Sequence, residues 1–445
     1  MPARFAGENL NAMKKQTGNE REILLIGRPS RASLPNLLII QFSLMALLPA
    51  CSKLPAGVGE SLEAGRTTVT KINVKSSSQA PPAGLDIFAF KDNASKSLDS
   101  YSRSMQGAPF TATVLSGGGD RIVAMLSGAD LTPSQIASVR CYEDLESLFI
   151  SLERENPSVP IMSGETVICA GEEGPWNVVL EPLMSKVEVV GLSVKLAGAY
   201  AGKRLTNVQA YLTGVNASCQ PLRRDGFRPV EILNSGRLRT SDVARLSSPQ
   251  LLYQAPRVSR EMDGEVTYQT FSLYCYPNDV REESAGSPFT RLVIQGDIDG
   301  QTYYYPIPIN RPGFGFAAGR EGICRNVNYV MDIHITRPGS MSPEDDMITG
   351  GTVTQGSATL YPGDFITGSV GDKLHVWCDV YPSDTPVEQD YELLEGDRLR
   401  GIYNYTVDPD GHGVELTLTG RGTGMVYMEA KGIVNQAFLC VIVVK

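Results

Sequence analysis

Three stretches fix the class of the fold: Thr67-Thr-Val-Thr-Lys-Ile-Asn-Val-Lys75, Leu85-Asp-Ile-Phe-Ala-Phe90 and Arg121-Ile-Val-Ala-Met-Leu126. The first alternates β-branched and polar residues, and the other two are short apolar runs; all three read as strands. The Ser/Pro-rich break Ser76 to Gly84 separates the first two, and Gly117-Gly-Gly119 is a turn between Thr111–Leu115 and the run beginning at Arg121.

Working outward, β-rich runs broken by Gly, Pro and Asn continue toward the C-terminus. They are Trp176 to Leu180, Lys186 to Val190, Val208 to Leu212, Thr267 to Tyr274, Arg291 to Ile294 and Thr302 to Ile309. Asp299-Gly300 between the last two is a hairpin turn signal, because both residues tolerate positive φ. Residues 220 to 262 are Arg-rich and poorly periodic, and are expected as surface excursions. One helix is signalled: Thr132 caps it, Pro133 takes the first position and Gln135 completes a capping box. Ile136, Val139, Leu145, Leu148, Phe149 and Leu152 recur at threes and fours, and Asn156-Pro157 ends it, so this helix is expected to cover a sheet.

At Arg337-Pro-Gly-Ser-Met-Ser-Pro-Glu-Asp-Asp346 the composition is that of an interdomain linker. The strands beyond it include Lys373 to Val380, Glu415 to Leu418, Gly424 to Ala430 and Ala437 to Val444, with a hairpin around Asp408-Pro-Asp-Gly411. Their size and spacing suit an immunoglobulin-like sandwich, in which Cys378, beside Trp377, and Cys440 are candidates for a bridge between sheets.

Ahead of all these strands lies the apolar run Leu34 to Ala50, ending in Leu48-Pro-Ala-Cys51. It is too short for a spanning helix, which needs about 20 apolar residues. Leucine three places before a cysteine, behind Arg21, Arg28 and Arg31, is the pattern of a bacterial lipoprotein signal. Residues 1–50 are therefore expected to be removed, with Met1 or Met13 as the start, and Cys51 to carry lipid that holds the chain on the outer membrane. Residues 51–66 read as a tether.

A chain of 445 residues exceeds what one core encloses, so several domains are expected. A net charge of −9 argues against nucleic acid or an anionic bilayer surface as partner. Of the eight cysteines no two stand at C-x-x-C spacing, which excludes a zinc ribbon. The three histidines, His334, His375 and His412, stand apart in β-rich contexts, and no H-E-x-x-H, G-x-S-x-G or P-loop motif is present. No enzyme, metal or cofactor is expected. Gly313-Phe-Gly-Phe-Ala-Ala-Gly319 misses the dinucleotide fingerprint and reads as a loop. Asp408, Asp410 and His412, or Glu344, Asp345 and Asp346, fall short of a complete calcium loop.

Several pieces in order resemble the fimbrillin superfamily, the subunits and anchors of lipoprotein-derived pili in Bacteroidales bacteria. They are Leu85 to Phe90, Pro160-Ile-Met-Ser-Gly-Glu165, Leu180-Glu-Pro-Leu-Met-Ser-Lys-Val-Glu-Val189, Tyr303-Tyr-Tyr-Pro-Ile-Pro-Ile309, Cys324-Arg-Asn-Val-Asn-Tyr329 and Asp332-Ile-His-Ile-Thr336. The resemblance implies two transthyretin-like β-sandwiches, over residues 67–178 and 179–340, meeting near residues 175–195. With the immunoglobulin-like sandwich over residues 350–445, the expected fold is all-β. The resemblance further implies assembly with other pilus subunits by strand donation: an arginine-specific protease removes a subunit's first strand, and a neighbour's C-terminal strand fills the groove.

Two features depart from a stalk subunit. No arginine separates the first strand from Arg103, while Arg66 precedes that strand, so Arg66 and Arg103 are the candidate cleavage sites. The sandwich after residue 350 is also extra. Both favour an anchor, tip or accessory subunit that meets a host or bacterial surface ligand. Two readings stay open for Ala437 to Val444: a central strand of the last domain, or a donor strand presenting Phe438, Cys440, Ile442 and Val444. The alternative function is a monomeric, surface glycan-binding lipoprotein. Tyr303, Tyr304 and Tyr305 could stack on sugar or pack at a sandwich edge.

Overall fold

Alternation of apolar and polar residues, set between Gly, Asn and Pro turns, makes strands the dominant element from residue 68 to residue 444. A computed structural model describes residues 68–76, 84–104, 111–116, 121–168, 176–222, 231–281, 283–284, 286–311, 321–345, 350–363 and 365–444. All lie within one compact unit, Ala64–Lys445. Cys51 and Arg66 fall outside the described residues.

The first sandwich is built from β1 (Thr68–Ser76), β2 (Leu85–Lys91), β3 (Leu98–Ser104), β4 (Thr111–Ser116), β5 (Arg121–Ser127), β7 (Met162–Ile168) and β8 (Trp176–Pro182), with a two-residue β6 (Ile150–Ser151) aside. Seven strands run in the order β3-β2-β5-β7-β8-β1-β4. The runs that opened the sequence analysis, β2 and β5, are buried on both faces. Leu85, Ile87, Ala89, Val123 and Met125 pack with Met162, Ile168, Val178 and Leu180 in the interior of this sandwich. Phe88, Phe90, Ile122, Ala124 and Leu126 face the other way, into a core shared with the helical cover and the next sandwich.

The cover differs from the single helix expected. The capping box is present, with Thr132 Oγ1 accepting from the Gln135 N–H and the Gln135 side chain accepting from the Thr132 N–H. The helix is nevertheless two short pieces, α1 (Pro133–Ser138) and α2 (Tyr142–Glu146). Between them the main chain extends to pair with the edge of β3: Leu98 N–H donates to Arg140 O at 2.8 Å and Tyr142 N–H to Lys96 O at 3.0 Å. Covering an edge strand's main-chain groups outweighs continuing the helix. The apolar face survives the break, since Val139, Leu145 and Leu152 are buried, while Phe149 is half exposed.

Leu183 and Met184 alone separate β8 from β9 (Ser185–Val194), which opens the second sandwich. The following elements are β10 (Thr206–Thr213), β11 (Val215–Asn216), β12 (Ser218–Cys219), β13 (Ile232–Leu233), α3 (Thr240–Arg245), β14 (Tyr253–Gln254), β15 (Val258–Met262), β16 (Glu265–Tyr268), β17 (Phe271–Cys275), β18 (Arg291–Ile298), β19 (Gln301–Pro308), β20 (Asn328–Ile335) and β21 (Gly351–Tyr361). The sheet β14-β10-β18-β19 faces one that carries β15, β16, β9, β20 and β21 in order, with β17 also on β9. Asp299 and Gly300, at φ of 52° and 80°, make the expected turn between β18 and β19. The stretch expected as surface excursions is in part interior: Leu233, Leu246, Leu251 and Leu252 are buried.

The C-terminal sandwich adds β22 (Phe365–Gly368), β23 (Lys373–Tyr381), β24 (Val387–Gln389), α4 (Tyr391–Leu399), β25 (Tyr403–Val407), β26 (Gly413–Leu418), β27 (Gly422–Ala430) and β28 (Gln436–Val444). Inward residues alternate along its strands: Val376, Cys378 and Val380 on β23 meet Val414, Leu416 and Leu418 on β26 and Val426, Met428 and Ala430 on β27. Cys378 and Cys440 both lie in this core, and no disulfide bridges them.

The stretch expected as a linker is a hairpin loop. Residues 336–350 join the antiparallel β20 and β21, and Ser340 exchanges two main-chain bonds with Tyr304 on the edge of β19. A side chain on Gly350 would lie 2.4 Å from Pro338 O, at a φ of 85° that suits glycine, so the Gly/Pro composition serves a tight return. Passage to the last sandwich occurs inside β21, which pairs with β20 over Gly351–Ala358 and with β23 over Ser357–Tyr361. One nine-stranded sheet thus runs through both sandwiches.

Candidate functional site

The resemblance directs attention to the chain's two terminal strands. β1 is an interior strand. It pairs antiparallel with β4 from Thr68↔Ser116 to Asn73↔Thr111, and parallel with β8 from Ile72↔Trp176 to Ser76↔Leu180. Val74 packs against the interior core of the first sandwich.

The rail on which β1 lies is shaped by a glycine. β8 pairs with β7 only at Met162↔Pro182 and Ser163↔Glu181, then crosses over and offers its remaining main chain to β1. A Cβ on Gly164 would stand 2.1 Å from Val179 O, so the close crossing requires glycine there. The far end of β8 is fixed by Arg325. Its guanidinium donates to Pro182 O (3.1 Å), Glu181 O (2.9 Å), Pro221 O (2.9 Å) and Ser163 Oγ (2.6 Å). One planar five-donor group therefore ties the first sandwich to the second.

The C-terminal strand is also interior. β28 pairs antiparallel with β27 along its whole length and parallel with β22 from Phe365↔Val441 to Gly368↔Val444. Cys440, Ile442 and Val444 are buried in the last core and Phe438 packs against it. All four candidate donor side chains are thus engaged within this chain.

Arg103 sits on the edge strand β3. Its Nε and Nη2 donate to the Asp86 carboxylate at 2.6 and 3.0 Å, and Nη2 also donates to Leu131 O. Asp86 is nearly fully buried and takes a further bond, from the Tyr101 hydroxyl at 2.7 Å. Arg103 holds strand to loop, and a cut there would separate β1, β2 and β3 from the rest.

On the outer face of the last sandwich, Tyr361 and His375 both stack on Trp377, with ring centroids 5.0 and 4.8 Å away. His375 Nε2 lies 2.7 Å from Asp408 Oδ2. These rings lie against one another, unlike the flat, open platform a sugar would need. Of the three tyrosines at 303–305, Tyr305 is fully buried with its hydroxyl donating to Arg337 O, which is packing at a sandwich edge. His334 Nδ1 is 2.8 Å from Ser193 Oγ, and its Nε2 is 3.4 Å from Asp332, on the polar outer face of the sheet shared by β9 and β20. Among the described residues, no three His, Cys, Asp or Glu side chains cluster closely enough to hold a metal ion, and no helix is long and apolar enough to cross a membrane.

No family model and no curated protein matches the sequence. Solved structures do. A candidate cell adhesion protein from Bacteroides eggerthii aligns at 16% identity with a TM-score of 0.49, over 67% of this chain and 97% of that chain. A fimbrilin, FimA, from Porphyromonas gingivalis aligns at 15% identity with a TM-score of 0.47, over 65% of this chain and 97% of that one. The tip fimbrial protein Mfa3 of the same species aligns at 13% identity with a TM-score of 0.39, over 65% and 99%. All three alignments have identities of 16% or less and TM-scores below 0.5.

In the structure, the quoted pieces of sequence become β2, the start of β7, the β8–β9 junction, β19 and β20. Sequence reasoning quoted Arg325 within its motif without seeing its role, and it missed Glu155. In the sequence it is one of three consecutive charges, Glu153-Arg-Glu155, which read as a solvated face.

Proposed function

We propose that this chain is a lipid-anchored, cell-surface fimbrial subunit that stands at an end of a fibre, as anchor or tip, and supports adhesion. The observation that carries this reading is the placement of β28 between β27 and β22. A stalk subunit must both receive a strand and give one; here the strand that would be given is part of its own domain's core. β1 is the element open to exchange, because it is terminal in the mature chain and lies between two strands that stay joined to the rest of the sandwich. A donor strand entering there would regain a main-chain ladder on both sides. Cys51 supplies the anchor in the uncut chain; a cut between β1 and β2, at Ser77 to Pro82, where no arginine stands, would need a protease other than an arginine-specific one and would open the groove while releasing the chain from its lipid.

The test is N-terminal sequencing and mass analysis of the protein from the membrane fraction and from sheared filaments. Lipid on Cys51, or a single copy per fibre with a new N-terminus, supports an end position. Recovery as heat-labile, SDS-resistant ladders of many copies would contradict it.

A further inference from the structure

The junction between the first two sandwiches encloses a carboxyl group that neither assembly nor anchoring uses. The chain leaving β6 makes a short turn, Leu152–Arg154, against the second sandwich. Ile150 and Ser151 pair with Cys219 and Ser218 of β12. Leu152 N–H donates to Ala217 O at 2.9 Å, and Ser247 N–H to Glu153 O at 3.0 Å. Glu155 closes the turn and is fully buried.

Its partners come from both sides. Ile161 N–H, from the first sandwich, donates to one carboxylate oxygen at 3.0 Å, and the Tyr276 hydroxyl, from the second, to the other at 3.0 Å. Ser247 Oγ donates to the Glu155 carbonyl at 2.7 Å. The titratable groups that face it are Tyr276, Cys219 on β12 and Arg325 in the segment before β20. At the rim, Arg245 pairs with Glu153 and Glu231.

From this arrangement we infer that the junction is a pH-responsive hinge, tight when Glu155 is protonated and loosened when it is ionised. An ionised carboxylate with two donors, buried between two domains, is stabilised by separating them and admitting water, whereas the neutral acid is not. Burial pushes the Glu155 carboxyl up to about 7, against the opposing effects of the Ile161 N–H, Tyr276 and the Arg325 charge. Burial also raises the Cys219 thiol and the Tyr276 phenol, so both stay neutral near pH 7. The folded chain therefore holds its Glu155 proton to higher pH than the unfolded chain. The added stability is complete below about pH 4.5 and is lost as pH rises through about 7.

The experiment is amide hydrogen exchange on the full chain and on Glu155→Gln, read at Leu152 and Ser247, from about pH 5.5 to about pH 8, with intrinsic rates divided out. Protection of both amides in the wild type is expected to fall by about tenfold or more across that range, and to be flat in E155Q. Equal slopes in both proteins, or no slope in the wild type, overturn the inference. If E155Q does not fold, carboxyl-carbon NMR of the wild type decides: titration of Glu155 near 7 sustains the hinge, and titration near the ordinary value of 4.5 removes it.

Discussion

β1 and β28 are alike in geometry and opposite in attachment. Each is a terminal strand lying between an antiparallel and a parallel neighbour. The antiparallel partner of β28 is β27, just before it in sequence, so the two form a local hairpin that re-forms readily once opened. Both partners of β1, β4 and β8, are distant in sequence, and no hairpin returns it to its place. Cys440, Ile442 and Val444 also place three side chains in the last core, Ile442 and Val444 worth roughly 1.5–3 kcal/mol each on burial. On the proposed reading, a terminal strand is exchangeable or committed according to how its contacts are distributed along the chain, with β1 as the first kind and β28 as the second.

That contrast can be broken most severely at the C-terminus. Deleting residues 436–445 removes one of the two central strands of a four-stranded sheet and should abolish cooperative folding of the last sandwich. Limited proteolysis would show rapid loss of residues 365–435 with the first sandwich intact. A truncated chain that melts like the full one would mean that β28 is as free as β1.

Next in size is Arg325→Ala, which leaves the carbonyls of Glu181, Pro182 and Pro221 without their shared donor. A loss of about 3 kcal/mol in urea unfolding of the first two sandwiches is expected. It should sharpen the comparison by loosening the rail under β1 while leaving β28 unchanged. Gly164→Ala drives a methyl group against Val179 O and should cost about 1–3 kcal/mol, with faster amide exchange in β1 than in β28.

The smallest effect is expected at β3. Because Arg103 is tied to Asp86 and Leu131, an arginine-specific protease should leave it intact in the native chain, and Arg103→Ala should cost about 1–2 kcal/mol, read from the thermal midpoint. Rapid native-state cleavage at Arg103 would restore it as a maturation site.

What the sequence shows clearly is what short-range physics decides. The strands β2 and β5, the Asp299-Gly300 turn and the Thr132 capping box follow from neighbouring residues, and each is present. The helix break at Val139–Cys141 does not follow from them, because its cause is the edge of β3, some 40 residues earlier in the chain. The same holds for Leu233, Leu246, Leu251 and Leu252, whose apolar character is plain but whose partners lie in distant strands. α4 was not read from the sequence because Gly396, a poor helix former, stands inside it; its Asp390 cap and the buried Asp397, which accepts from Met425 N–H at 2.6 Å, hold it in place. The Gly/Pro cluster near residue 340 was legible as a break in regular structure, but a hairpin tip and a domain boundary share that composition. Of the candidate site, the pattern revealed that Ala437–Val444 is apolar on both faces, yet which chain fills that sheet is a tertiary question.

The most direct test of the exchangeable-strand claim uses the full chain with a protease site introduced within residues 77–83. After cleavage, labelled peptides corresponding to residues 68–76 and 436–444 are offered in excess. The account predicts that the 68–76 peptide replaces β1 and is retained through gel filtration, and that the 436–444 peptide does not enter the last sandwich. Retention of the C-terminal peptide there, or failure of β1 to exchange after cleavage, would contradict it.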